Sequence, residues 1–449
     1  MRKVFILKIF GNLTIKNYTM EKKQNYTIPI IVMILLFGMI SFVTNLASPM
    51  GDILKNQFNI PNWQGTLGVF ANFIAYAVMG IPSGNLLQKK GYKKTALIAV
   101  IVGFVGVGIQ TLSGVFSSFG VYLLGAFVAG FSMCLLNTVV NPMLNRLGGG
   151  GNHGNQLIQI GGSFNSLCGT AVIVITGLLI PNIMDAKISD VFPLMYTALG
   201  IFAFAFIVIL LTDIPENEQK QETATQVKDG KGPMAFRHFV LGAIAIFIYV
   251  GIEVGIPNVL NKWLQNPELN VLGNISDPDD VAASVAAFYW FLMLVGRLVG
   301  GIIGNKVSAK TMLTVASVAG IILTLLAMFG PSVMVKFPAF NGAKGFGLEN
   351  IPLNAAFLVC IGLCTSVMWG GIFNLAVEGL GKYTERASGI FMALVCGGGI
   401  LPLLQNAIVD GLGGVGYLQS YWVIVIGIGY LLFYALVGSK NVNKDIKVD

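Results

Sequence analysis

Charge is what this sequence has least of: 11% of its 449 residues are Asp, Glu, Lys or Arg, against 55% that are hydrophobic. A soluble domain is about a quarter charged, so this chain cannot cover a water-facing surface. Histidine is scarcer still, at two residues, and without a His-Glu-x-x-His segment there is no zinc-hydrolase site to consider. The five cysteines, Cys134, Cys168, Cys360, Cys364 and Cys396, form no paired metal motif. Cys360 and Cys364 stand one helical turn apart, which suits packing. A Gly-x-x-x-x-Gly-Lys-Ser/Thr phosphate loop is also missing, and Gly148-Gly-Gly-Gly151 joins two apolar runs, so neither ATP nor any other cofactor is expected. The chain is expected to be neither an enzyme nor a metal protein. High hydrophobicity excludes disorder, and 56 glycines without a three-residue period exclude collagen.

What the sequence has in quantity is long apolar runs. Twelve are found, near residues 28–48, 65–87, 95–115, 119–145, 155–181, 192–212, 237–262, 282–304, 310–330, 351–379, 386–409 and 417–438. Each is about the 20 residues that cross a bilayer as a helix. Barrel strands are excluded, because their apolar/polar alternation is absent, and lipid offers an open backbone no partner. The expected class is an all-α membrane protein of twelve transmembrane helices in two six-helix bundles. Its expected parts are an N-terminal cytoplasmic segment 1–27, bundles 28–212 and 237–438, a charged linker 213–236 and a tail 439–449. Met1 to Thr19 is basic but lacks a small-residue cleavage site, so no signal peptide is expected, and Met20 is a second candidate start.

Of the 28 Lys and Arg, 22 fall in the even-numbered connections and the termini and five in the odd-numbered ones. Positive charge stays inside, so both termini are expected in the cytoplasm, in the cell inner membrane. The net charge of +8 is a topology signal and not a nucleic-acid one. Two weak internal matches support a repeat of halves: Gly84-Asn-Leu-Leu-Gln-Lys89 with Gly301-Ile-Ile-Gly-Asn-Lys306, and Asn141 ahead of Leu147-Gly148 with Asn374 ahead of Leu380-Gly381. Parallel repeats with a ligand held between them at mid-membrane are a transporter plan.

Ionisable groups inside the spans are costly and therefore site candidates. Asp52 ends the first span. Glu253 in the seventh has Lys262 as its nearest charged neighbour in sequence, and as a lone carboxylate it is a candidate proton carrier. Arg297 in the eighth is assigned conformational control, either snorkelling or pairing with a carboxylate across the halves. Glu378 and Asp410 end their spans as interfacial groups, and His153 and His238 lie in loops. Among neutral groups, Asn137, Asn141 and Asn145 share one face of span four, and Pro142 allows a kink. Gln159, Ser163, Ser166 and Thr170 make one stripe of span five, and Gly162, Asn165 and Gly169 another. Asn258, Asn261, Trp369 and Asn374 are the second-half candidates. Amides and an aromatic ring suit a neutral polyhydroxylated ligand, since hydroxyls pair with amides and a sugar's C–H face packs on a ring.

Several of these segments resemble the major facilitator superfamily, and within it the fucose-proton symporter group of sugar permeases. The resemblance runs from about residue 28 to 438. It is carried by Asp52-Ile-Leu-Lys-Asn-Gln-Phe58, Cys134-Leu-Leu-Asn137-Thr-Val-Val-Asn141-Pro142, Ser163-Phe-Asn165-Ser, Tyr249-Val-Gly, Gly296-Arg297 and Gly397-Gly-Gly-Ile-Leu-Pro402. It implies a sugar-binding, proton-linked role for Asp52, sugar binding at Asn165 and a cavity-lining ring at Trp369. Two positions depart from the group: its fourth-span glutamate is Asn137 here, and a fifth-span cavity glutamine is Gly162. Glu253 is then the candidate second coupling carboxylate, and Gly162 leaves room for a larger sugar. The implied partners are a small sugar, a proton and the bilayer, for a protein acting as a monomer.

Overall fold

Backbone in lipid must satisfy its own N–H and C=O groups, and the described chain does so almost wholly with helices. The computed structural model describes residues 26–58, 67–179, 187–216, 232–342, 344–443 and 446, except the side chains of 47–49, 51–52, 54–56, 58, 69, 173–174 and 177–179. Residues 1–25 and 217–231, from the expected terminal segment and linker, lie outside it.

The first half contains α1 (Thr27–Phe58), α2 (Leu67–Phe116), α3 (Phe119–Leu147), α4 (Gly151–Leu179) and α5 (Phe192–Leu211). The second contains α6 (Arg237–Gln265), α7 (Pro278–Ile303), α8 (Ala309–Phe329), α9 (Leu353–Thr365), α10 (Met368–Val377), α11 (Thr384–Ala393), α12 (Gly397–Leu412) and α13 (Trp422–Phe433). Every expected span has a helical counterpart. Nine helical stretches among the described residues are long and apolar enough to cross a membrane. One of them, Phe70–Phe116, holds spans two and three. The counterpart of span five is rich in Asn, Gln and Gly, and that of span twelve, Trp422–Gly438, is short.

Gly91 breaks α2, with φ of +82°, a conformation that side chains disfavour. The Glu216 carboxylate accepts from the N–H of Tyr92 at 2.9 Å and of Lys93 at 2.8 Å, so it caps the helix that restarts there. Spans ten and eleven are also interrupted, between α9 and α10 and between α11 and α12.

One element departs from the sequence reading. The connection between α8 and α9 is an antiparallel hairpin of β1 (Met334–Asn341) and β2 (Gly345–Pro352), registered from Met334 opposite Pro352 to Asn341 opposite Gly345.

Within the first half, α1 packs on α3 and α4, and α2 on α3 and α5; within the second, α6 packs on α7, α10, α12 and α13. Large apolar side chains left exposed, such as Phe204, Ile207 and Leu211 on α5 and Val315, Ile322 and Phe329 on α8, form the lipid-facing surface. The halves meet where α4 packs on α7 and α10, and where α11 packs on α2 and α3.

Candidate functional site

Asparagine every fourth residue on α3 places three amides on one face, and the two deeper ones are buried at the meeting of the halves. Asn137 Nδ2 donates to the Tyr76 hydroxyl at 2.7 Å and to the Met133 carbonyl at 3.2 Å. Asn141 Nδ2 donates to the Asn137 carbonyl at 2.9 Å, and its Oδ1 accepts from Trp369 Nε1 at 3.1 Å. The ladder thus ends on a side chain of the other half. The Trp369 ring stands 6.2 Å from that of Tyr249 and 6.1 Å from that of Phe391. Pro142 has no N–H to give, so it denies the Thr138 carbonyl its usual i+4 donor, and Ser388 Oγ of α11 donates there at 3.1 Å.

Amides of α4 reach across in the same way. Gln159 Nε2 donates to the Val367 carbonyl at 2.9 Å, and Gln156 Nε2 to the Gly301 carbonyl at 3.0 Å. Asn374 Nδ2 of α10 returns the favour at the Gly151 carbonyl, 3.0 Å away. Asn165 stays within its half and donates to the Phe37 carbonyl at 2.7 Å.

Glu253 is not a lone carboxylate. Arg297 Nη2 lies 3.1 Å from its Oε1, because α6 and α7 pack side by side and bring together residues 44 apart in sequence. The expected partner of Arg297 across the halves is also corrected: its carboxylate comes from its own half. What Arg297 reaches in the other half is neutral, with Nη1 donating to the Gly162 carbonyl at 3.2 Å and to Ser166 Oγ at 2.6 Å. A Cβ at Gly162 would stand 3.5 Å from Arg297 Cδ, an ordinary contact distance, so the arginine stem packs directly on this face of α4.

The remaining candidates are more scattered. Asn258 is exposed and accepts from Asn406 Nδ2 at 3.1 Å, while Lys262 Nζ donates to Asn406 Oδ1 at 2.8 Å. Asn261 Oδ1 is buried without a partner, as are both amide atoms of Gln405 on α12. The side chain of Asp52 lies outside the described residues, although its backbone belongs to α1. Neither histidine is in a loop: His153 lies in the first turn of α4, and His238 is buried in the first turn of α6, with Nε2 on the Glu378 carbonyl at 2.9 Å. An apolar crevice of about 260 Å³ between α1, α4 and α5, lined by Val32, Phe42, Phe164 and Phe204, has almost no polar lining and is unsuited to hydroxyls.

Sequence reasoning missed Tyr76, Gln156, Ser388 and the close crossing of α2 and α11. There, a Cβ built on Gly389 would lie 2.5 Å from Gly84 Cα and 2.6 Å from the Gly80 carbonyl. The Gly80-x-x-x-Gly84 spacing was the available signal.

A sequence model described as Major Facilitator Superfamily matches residues 30–403. A glucose/galactose transporter of Brucella abortus biovar 1 (strain 9-941) is 29% identical over 428 residues, which is 94% of this chain and 96% of that protein. The L-fucose-proton symporter of Escherichia coli (strain K12) is 21% identical over 426 residues, 88% of this chain and 90% of that one. Among solved structures, the MFS transporter FucP in the outward conformation superposes with a TM-score of 0.78 at 18% identity, over 93% of this chain and 100% of that chain. Helices that account for all twelve apolar runs, a polar seam where the two halves meet and a family match over most of the sequence agree: this multi-pass membrane protein belongs to the Major Facilitator Superfamily.

Proposed function

We propose that this protein is a secondary active transporter that imports a neutral sugar, a hexose, deoxyhexose or amino sugar, by proton symport with alternating access. The observation that carries the reading is the seam itself. Among the described residues, neutral amides, an indole and one internally compensated ion pair line it, so these offer hydroxyls many partners and give an anion no excess of positive charge. The relatives named for glucose/galactose and fucose transport support a sugar substrate.

Residues 28–212 and 237–438 are the two bodies that rock. Their contacts cluster toward the ends that lead into the basic connections, near Lys89 and Lys90, Arg146, Lys306 and Lys382. With positive charge inside and both termini cytoplasmic, that closed end faces the cytoplasm and the conformation is open outward. Asp52, Asn137, Asn141, Gln159, Asn165, Asn258, Asn261, Trp369 and Asn374 are assigned to the sugar path, Asp52 and Glu253 to proton coupling, and Arg297 to conformational control.

An uncoupled facilitator or sensor is the alternative that Asn137 favours, because its amide binds Tyr76 where a carboxylate would take up a proton. Adding sugar to proteoliposomes that enclose a pH dye separates the two. A symporter acidifies the lumen in step with uptake, and uptake without proton movement refutes coupling.

A further inference from the structure

The Arg297–Glu253 pair has a setting that conformational control alone does not require. Arg297 keeps 8% of its exposure and Glu253 is half-buried, whereas Gln159, one turn nearer the closed end of α4, keeps 2%, and Asn155, a further turn on, keeps none. On the other side of the pair, Asn165, Ser166 and Thr170 are half-buried. The pair therefore lies at the boundary where the sealed seam gives way to the open cleft. Arg297 has five N–H donors. Nη1 is committed to Gly162 and Ser166, and one donor of Nη2 to Glu253, which leaves two, one of them within reach of the Tyr249 hydroxyl. Glu253 engages Arg297 through Oε1, and Tyr249 stands beside both charges.

Resting on the sugar-transport reading, we propose that Arg297 and Glu253 form a charged floor that reads two adjacent hydroxyls of the sugar, one accepting from the guanidinium and one donating to the carboxylate. Vicinal hydroxyls fit such a pair because each is both donor and acceptor at a spacing close to that of a planar fork. The zero net charge of the pair matches a neutral ligand. Gly162 is the positioning residue, through the carbonyl it lends to Arg297.

The test is titration calorimetry on the full chain in lipid nanodiscs, using glucose, galactose and their 2-, 3-, 4- and 6-deoxy analogues. In the wild type, two deoxy analogues at neighbouring carbons should each bind about tenfold more weakly than the parent. Arg297→Lys keeps the charge but loses the fork, and Glu253→Gln keeps the shape but loses the charge. Each should erase the penalty at the one carbon whose hydroxyl its residue reads, the two variants at different, adjacent carbons, and leave the penalties elsewhere intact. A wild type with no adjacent pair of sensitive carbons overturns the assignment, as does a variant that weakens every analogue by the same factor, which is what a purely structural pair would do. Wild-type protein that binds no sugar at all overturns the transport reading, and this assignment with it.

Discussion

The crossing of α2 and α11 allows the sharpest quantitative test of alternating access, because it belongs to neither half alone. A methyl group at Gly389 would sit 2.5 Å from Gly84 Cα, 2.6 Å from the Gly84 nitrogen and 2.6 Å from the Gly80 carbonyl, all backbone atoms that no rotamer change can move. A methyl at Gly84 is milder, at 2.9 Å from Gly389 Cα and 3.0 Å from the Glu385 carbonyl. Overpacking of this kind costs about 1–3 kcal/mol. Here only the closed state carries that cost, since opening separates the two helices. The equilibrium should therefore shift by about 5- to 150-fold toward the state open at the basic end. Spin labels at Lys89→Cys and Lys306→Cys, with Cys168, Cys360 and Cys396 replaced by Ser, read the separation of the halves at that end. Gly389→Ala should add a longer distance to the distribution, and Gly84→Ala should add less of it. Thermal unfolding should change little, because neither core is touched. Unchanged distances in Gly389→Ala, or a larger effect from Gly84→Ala, would refute the argument that this crossing is a reversible seal.

Three further outcomes are expected. Asp52→Asn should abolish uphill sugar accumulation, and full concentrative uptake by that variant would remove Asp52 from coupling. Trp369→Ala should weaken sugar binding about tenfold while Trp369→Tyr keeps most of it; equal loss in both would leave the ring a packing role and its bond to Asn141. Removing one partner of a buried ion pair strands the other, so Glu253→Leu should cost about 3–5 kcal/mol and the double variant with Arg297→Leu should recover most of that. Thermal denaturation in detergent measures both, and a double variant no better than the single would show that the pair does not act as a unit.

The helices were legible in the sequence because lipid allows apolar runs of this length only one backbone solution. The hairpin was not, since Met334–Asn341 and Gly345–Pro352 are eight residues each and break their pattern with Pro338, Gly347 and Pro352. The amide stripe of α3 was legible from its four-residue spacing, which is a property of one helix. What each amide bonds was hidden, because Asn141 meets Trp369 across 228 positions. The isolation assigned to Glu253 fails for the same reason. Distance along the chain measured its separation from Lys262, while the packing of α6 on α7 delivered Arg297.

The chemistry of the seam also explains how a closed end that buries so many polar groups can open. Its cross-half bonds are mostly amide or hydroxyl donors on backbone carbonyls: Gln156 on Gly301, Gln159 on Val367, Asn374 on Gly151 and Ser388 on Thr138. A helix carbonyl has two lone pairs and can serve its own helix with one, as Val367 does in accepting from Gly371 N–H at 3.2 Å. Pulling the halves apart leaves such a carbonyl satisfied and releases only a side-chain donor into a cleft that water is entering. Thr138 and Gly301 differ, since Pro142 gives Thr138 nothing and Gly301 sits in the last turn of α7, so each depends on that water when its cross-half donor leaves. Each bond of this type contributes about 0.5–1.5 kcal/mol net, so the set as a whole is worth a few kcal/mol. That is the range in which a ligand's preference for one state can move the equilibrium. A seam closed by several cross-half ion pairs would instead strand buried charges on opening. Among the described residues the one charged pair at the seam has both members in the second half and travels with it intact, so Arg297 gives up only its bonds to Gly162 and Ser166 as the halves part.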